Sequence, residues 1–378
     1  MKVGILTHIK HPIAQPFAGG LESFTYDITT RLQARGHDVT LFATAGAAAE
    51  LPVETMAVSA MHCDDGGRHP YDTSSTDYIA EHHAYMDCMQ RIDGFGFDVI
   101  LNNALHYAPI TMAGTLATPM LTVLHTPPFF ELINAVVAQG ARGEGRYCTV
   151  SHSNAAQWAA FLPVCDVIAN GIDLSLWHPP PRHTPQRHWR TAANDAEREA
   201  GFTDGSHVMW FGRLVADKGA HLAMDAAHLA GLDIRIAGKI TDQAYFDAEI
   251  APRLSDTAVF LGHLDRSALV RELGQAAVCA VTPLWEEPFG LVVAEAMACG
   301  TPVAAFSKGA LPELISASTG VVVPDGDVAA LAAALIAASA LSGGACRERA
   351  ERLWDIDTMV NRYEMALLKL IHLAHAHV

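Results

Sequence analysis

The sequence contains no C-x-x-C pair, no apolar run long enough to cross a bilayer and no surplus of positive charge. Each absence removes a class of function. Seven cysteines (63, 88, 148, 165, 279, 299 and 346) are scattered and odd in number, so a disulfide framework is not expected. Reduced, mostly buried thiols and a cytoplasmic location are. A membrane span needs about 18 apolar residues in succession. The opening Met1-Lys-Val-Gly-Ile-Leu-Thr7 reads as a first strand, because no small-residue cleavage site follows it. A net charge of −16 argues against broad binding to nucleic acid or to an anionic membrane. Twenty histidines form neither H-E-x-x-H nor a His/Cys cluster of zinc spacing, so no metal is expected. G-x-x-x-x-G-K-[ST] and G-x-S-x-G are also missing, and Gly94-Phe-Gly96 is a partial G-x-G-x-x-G that precedes a strand. ATPase, serine hydrolase and dehydrogenase readings lose their support together.

What is present is an α/β pattern. At 378 residues, half of them hydrophobic, the chain exceeds one hydrophobic core, and two domains are expected. Short apolar runs at 3–7, 38–43, 98–101, 120–124, 147–150 and 164–168 alternate with helical stretches, the pattern of a parallel sheet covered by helices. A helix over 21–35 would place Leu21, Phe24, Ile28 and Leu32 on one face and end at Gly36. A Pro- and Arg-rich connector follows, with a linker or insert expected over 173–206. A second series then begins, at 208–211, 233–237, 259–261, 278–282, 303–306 and 320–323. The expected organisation is two Rossmann-like domains, 1–172 and 207–355, and a closing helix over 356–378 with no strand after it.

The chemistry concentrates in Glu287-Pro-Phe-Gly-Leu-Val-Val-Ala-Glu295. Glu287 falls in a loop at the mouth of a helix over 290–299, and Glu295 on the helix itself. A helix start flanked by glycine favours an anion, since free amides and the helix dipole both point at it. Phe211-Gly-Arg213-Leu-Val-Ala-Asp-Lys218-Gly219 leaves another strand end with two cations, which could neutralise a diphosphate. Gly19-Gly20 opens the first helix and lets backbone approach a ligand closely. His125, Asn102, Asn103, His106 and Tyr107 follow first-half strands at the carboxyl ends, where parallel sheets bind ligands. Any of these could instead be a solvated loop or a satisfied structural residue. His82-His83 reads as helix surface.

Taken in order, Gly19-Gly20, Val150-Ser151, Asn170-Gly-Ile-Asp173, Gly212-Arg213…Lys218-Gly219 and Glu287-x7-Glu295 resemble the family-4 retaining glycosyltransferases of the GT-B fold. The resemblance implies two Rossmann-like domains facing a central cleft, with acceptor on the first, donor on the second and a last helix crossing back to the first. By position it assigns Arg213 and Lys218 to the donor diphosphate, Glu295 to the ribose and Glu287 to the sugar. Backbone of Gly212, Phe289, Gly290 and Leu291 would contact sugar or phosphate, and Gly19 and Gly20 would close over the phosphates. His125 would lie beside the donor sugar, and His263 and Leu264 would line the base. The implied reaction is metal-independent sugar transfer from a nucleoside-diphosphate sugar, a UDP- or GDP-sugar in expectation, with no cofactor besides that substrate. A nucleotide-sugar epimerase on the same scaffold is the alternative, and a non-catalytic nucleotide-sugar-binding protein a third reading. Residues 1–165 carry 8 Lys/Arg against 15 Asp/Glu, so a soluble, polyol-like acceptor is expected over a membrane-bound one.

Overall fold

The computed structural model describes residues 1–58, 75–143, 145–179 and 207–376. Most of the expected connector, 180–206, lies outside them, as do Cys63 and the last two residues of the closing helix. The chain divides into two compact units. Residues 1–168 and 360–378 form the first, and 169–359 the second. Residues 169–172 group with the second unit because Ile172 exchanges backbone hydrogen bonds there, donating to Trp354 and accepting from Ile356.

The first unit is built on a parallel sheet of β1 (Lys2–Leu6), β2 (Asp38–Ala43), β3 (Val53–Thr55), β4 (Val99–Asn102), β5 (Met120–Leu124), β6 (Tyr147–Thr149) and β7 (Asp166–Val167). Their order across the sheet is β3-β2-β1-β4-β5-β6-β7. β1, β4 and β5 are almost wholly buried, which is why they read as unbroken apolar runs and not as alternating ones. The helix Gly20–Ala34 buries Phe24, Ile28 and Leu32 as its 3.6-residue spacing requires. Leu21 is corrected to a half-buried position, and Glu22, Ser23, Thr25 and Thr29 are buried beside the apolar three. The chain leaves this helix at Gly36, whose φ of 82° is the left-handed turn that glycine adopts without strain.

The last helix, Ile356–Ala376, starts in the second unit, and its residues from Val360 onward count with the first. There Tyr363 and Leu367 are fully buried, and the Tyr363 ring meets Phe24 edge-on at 5.6 Å. Glu364 accepts from Arg35 and from His37, the latter at 2.6 Å. Burial raises its carboxyl, but the hydrogen bonds from His37 and Arg35 and the Arg35 charge outweigh it and hold the carboxyl below the usual range.

The second unit repeats the architecture with β8 (His207–Phe211), β9 (Asp233–Ala237), β10 (Ala258–Phe260), β11 (Val278–Val281), β12 (Val303–Phe306) and β13 (Gly320–Val323), in the order β10-β9-β8-β11-β12-β13. Every pairing between these thirteen strands is parallel. Its core is rich in alanine where the helices Ala220–Ala230 and Val328–Ser339 lie close together, small side chains permitting the approach. Among the described residues no single helix is long and apolar enough to cross a membrane.

Candidate active site

In the second sheet the strand order reverses between neighbours β8 and β11. The chain runs outward from β8 on one side and from β11 on the other, so the loops after them diverge. The crevice beyond such a reversal is where open parallel sheets gather ligands. The loop after β8 carries Gly212, Arg213 and Lys218, and the loop after β11 carries Glu287. They meet. Lys218 Nζ lies 2.6 Å from Glu287 Oε2, with the two side chains only 20% and 14% exposed. The Trp285 indole N–H donates to the same oxygen at 3.1 Å, and the ammonium sits 4.7 Å from the centre of a Trp285 ring. Arg213 differs: half-exposed, its guanidinium has no side-chain partner among the described residues.

Backbone contacts fix both loops. The Thr282 hydroxyl donates toward the carbonyls of Gly219 and Lys218, at 2.9 and 3.2 Å, and itself accepts from the Trp210 indole. Gly219 has φ of 65°, and a Cβ there would stand 2.2 Å from the Thr282 carbonyl oxygen. No other residue fits. Glu287 is held from its far side, where its carbonyl accepts from the Ala310 N–H at 2.8 Å while Gly309 N–H donates to Glu286. Lys308 bridges Glu286 and Asp325 at 3.7 and 2.7 Å, closing that side.

Phe289 is 3% exposed with its ring edge toward Trp354, so its side chain anchors the loop in the core and only its backbone can face a ligand. Gly290, at φ of 96°, caps the helix Leu291–Ala298 without a side-chain hydrogen bond. The first amides of a helix have no intrahelical acceptor, so an anion is favoured there. Leu291 is half-buried in that first turn. Glu295 is buried on the same helix. Burial, and after it the Glu295 carboxylate, pushes the Cys299 thiol up to about 12 and the Cys279 thiol higher. Neither cysteine is a nucleophile at neutral pH. His263, exposed, and Leu264, half-buried, follow the edge strand β10, two strands away from β8. The Lys218–Glu287 contact does not include them.

The first unit has its own reversal, between β1 and β4. Gly19 caps the helix beginning at Gly20 in extended backbone. Behind this turn His8 and Glu22, both nearly buried, meet at 3.1 Å between Nε2 and Oε1. His8 Nδ1 accepts from the Lys10 amide, which leaves the proton for Glu22 on Nε2. Burial raises the Glu22 carboxyl, but the hydrogen bond from His8 outweighs it, and the net shift is downward from 4.5. A carboxyl with a lowered folded value contributes its stability above 4.5 and loses it as pH falls through the folded value. Glu22→Ala leaves the buried His8 N–H without its acceptor and should cost about 2 kcal/mol at pH 7, with a deficit that narrows below pH 4.5. Urea titrations at pH 7 and pH 3.5 check this; a pH-independent deficit would leave the charge without a role.

His125 follows β5, where its Nε2–H donates to Asn103 Oδ1 at 3.0 Å and its ring meets Phe24 edge-on at 4.8 Å. Burial lowers it to about 3, so it is neutral at physiological pH with Nδ1 as acceptor. Asn102 is occupied locally, its amide nitrogen donating to Thr122 and its oxygen accepting from Ala104. His106 caps the next short helix through the Ala108 amide, and burial lowers it to about 4. It stacks on Tyr85 and Tyr107 at 4.6 and 4.7 Å. Tyr107 bonds His82, which is half-buried within this ring cluster and not on the helix surface as expected. Trp285, His8 and Glu22 are the polar participants that the sequence did not single out. An aromatic two residues before Glu287, and a carboxylate two residues past the glycine pair, were the available signals. Among the described residues no three His, Cys, Asp or Glu side chains cluster as metal ligands.

Two family models match the chain in succession: Glycosyltransferase Family 4 over 18–176 and Glycosyl transferases group 1 over 205–340. The chain belongs to the family-4, group-1 glycosyltransferases. Similar relatives include the D-inositol 3-phosphate glycosyltransferase of Mycolicibacterium paratuberculosis, 28% identical over 97% of this chain and 90% of that protein. Another is the glycogen synthase of Mycobacterium tuberculosis, 36% identical over 45% of this chain and 38% of that protein. Among solved structures, the sucrose-phosphate synthase of Thermosynechococcus elongatus superposes with a TM-score of 0.73 at 20% identity, covering 98% of this chain and all of that one. Anabaena HepE in complex with UDP gives 0.72 at 19% identity, with the same coverage. The fold of this glycosyltransferase is GT-B, with a Rossmann-like sheet in each unit.

Proposed function

We propose that this glycosyltransferase moves a sugar from a nucleoside-diphosphate sugar to a hydroxyl acceptor with retention of anomeric configuration, without a metal. The Lys218–Glu287 contact at the strand-order reversal carries the reading, because it joins a cation suited to diphosphate with a carboxylate suited to sugar hydroxyls. Breaking the anomeric C–O bond builds negative charge on the leaving diphosphate. Arg213, with a guanidinium committed to no other side chain, Lys218 and the amides at Gly290 and Leu291 supply fixed positive potential for it. Glu295 holds the ribose diol, and Gly19 and Gly20 bring backbone to the phosphates. His125, neutral and oriented by Asn103, lies beside the transferred sugar. His263 and Leu264 serve the base, and Asn102, His106 and Tyr107 the acceptor side.

Glu287 is a poor candidate for a covalent nucleophile. Its Oε2 already accepts from Lys218 and Trp285, and two donors on one oxygen draw off its electron density. Oε1 remains for sugar hydroxyls. Front-face displacement, in which the leaving phosphate takes the acceptor proton, suits this arrangement better than the double displacement of retaining glycosidases. The HepE complex with UDP supports a uridine donor and the inositol-phosphate glycosyltransferase a polyol acceptor. A thermal-shift screen of UDP-, GDP-, ADP- and dTDP-sugars, followed by NMR of the product's anomeric proton, tests the reading. Stabilisation by one nucleotide class and an axial product from an axial donor are expected. An inverted product would overturn retention, and donor turnover to an isomer without acceptor would point to epimerisation.

A further inference from the structure

Trp285 holds both charged groups of the Lys218–Glu287 pair at once. Its indole N–H reaches Glu287 Oε2 at 3.1 Å, and its ring lies 4.7 Å from the Lys218 ammonium. The two functions use different parts of one side chain, the N–H and the ring face. A lysine beside a carboxylate at 2.6 Å has every reason to remain there, which would deny its charge to an incoming diphosphate. An N–H on the same oxygen weakens that hold, because the carboxylate's electron density is already shared. The ring face offers the ammonium a second, desolvated place to rest that costs it no hydrogen-bonding group. Neither partner moves freely: the Leu284 amide, next to Trp285, donates to the Asp217 carbonyl, next to Lys218, at 2.7 Å, so the two loops travel together.

We propose that Trp285 is a positioning residue for sugar transfer. It keeps Lys218 available to the donor diphosphate and keeps Glu287 Oε1 turned to the sugar. The inference rests on the donor-site reading given above for Lys218 and Glu287. Because the two functions of the ring separate chemically, two substitutions separate them. Trp285→Phe keeps a ring face for the ammonium and removes the N–H; Trp285→Ala removes both.

The experiment measures UDP and GDP binding by calorimetry, carried forward with whichever the wild type binds more tightly. It adds kcat and KM for hydrolysis of the corresponding glucose nucleotide, and a melting temperature for each variant. Trp285→Phe is expected to bind the free nucleotide within about 2-fold of wild type while kcat drops about 10-fold, since the N–H orients the sugar-facing carboxylate. Trp285→Ala is expected to weaken nucleotide binding about 10-fold as well, through the lost cation–π contact. Trp285 is only half-buried, so neither change should lower the melting temperature by more than a few degrees. If Trp285→Phe leaves kcat unchanged, or both variants lose activity only in step with their melting temperature, the positioning role is overturned. Lys218→Ala is the control for the underlying assignment. If it binds nucleotide as wild type does, the donor-site reading itself fails and takes this inference with it.

Discussion

Arg213→Ala is expected to lower kcat for sugar transfer by about 10³-fold while leaving the fold intact. The size follows from the position. A preorganised donor that meets charge only as it develops contributes roughly 3–4 kcal/mol to the transition state in other enzymes. Arg213 answers that description because its guanidinium makes no side-chain hydrogen bond or ion pair among the described residues, so its charge is not neutralised in advance. Lys218 shares its charge between Glu287 and the donor diphosphate, so the larger rate effect is expected at Arg213. Removing Arg213 breaks no internal bond of its side chain, so urea unfolding should be unchanged. Arg213→Lys should recover only part of the rate, a point charge replacing a fork that matches two phosphate oxygens. Initial rates with saturating donor decide the matter, and a kcat within about 3-fold of wild type would remove Arg213 from the mechanism.

The second large effect is expected at a glycine that carries no chemistry. A Cβ on Gly309 would stand 2.1 Å from the Glu287 carbonyl oxygen and 2.4 Å from its amide nitrogen, both backbone atoms that cannot rotate away. Gly309→Ala must therefore push residues 286–287 outward. A displacement of about 1 Å at a reacting group costs on the order of 10²-fold in rate. Gly231→Ala separates this cause from backbone strain. Gly231 is also left-handed, at φ of 68°, but its Cβ would meet nothing within 4 Å. That variant should lose about 1 kcal/mol of stability and no activity. If both variants keep full activity, the placement of Glu287 does not depend on the Gly309 contact.

The sequence disclosed the two-sheet fold because buried parallel strands are continuous apolar runs, and β1, β4, β5, β8, β11 and β12 are of that kind. It did not disclose β3, a three-residue strand of half-exposed Val-Glu-Thr on the sheet edge. The helix Thr76–Arg91 was legible only as the surface that carries His82 and His83, since its polar run hides a buried stripe of Ala80, Ala84, Tyr85, Cys88 and Met89. For the site, the E-x7-E spacing and the glycine-bounded cations were legible as local patterns. Their meeting was not. Lys218 and Glu287 stand 69 positions apart, and only the neighbouring positions of β8 and β11 bring them together. Glu22 went unnoticed for a related reason. A periodicity argument assigns a carboxylate to the outside of a helix, and nothing local reveals that His8, across the β1 loop, waits for it.

The closing helix carries a consequence for biosynthesis. The sheet of the first unit precedes the second unit in the chain, yet its core is finished by Val360, Tyr363, Leu367 and Leu370, which follow the second unit. Until those arrive, Phe24 lacks its aromatic neighbour, and Arg35 and His37 lack their shared carboxylate. The second unit, residues 169–359, needs no such wait. Translation thus starts one half early and completes it late, so the half made second is the first able to close its core.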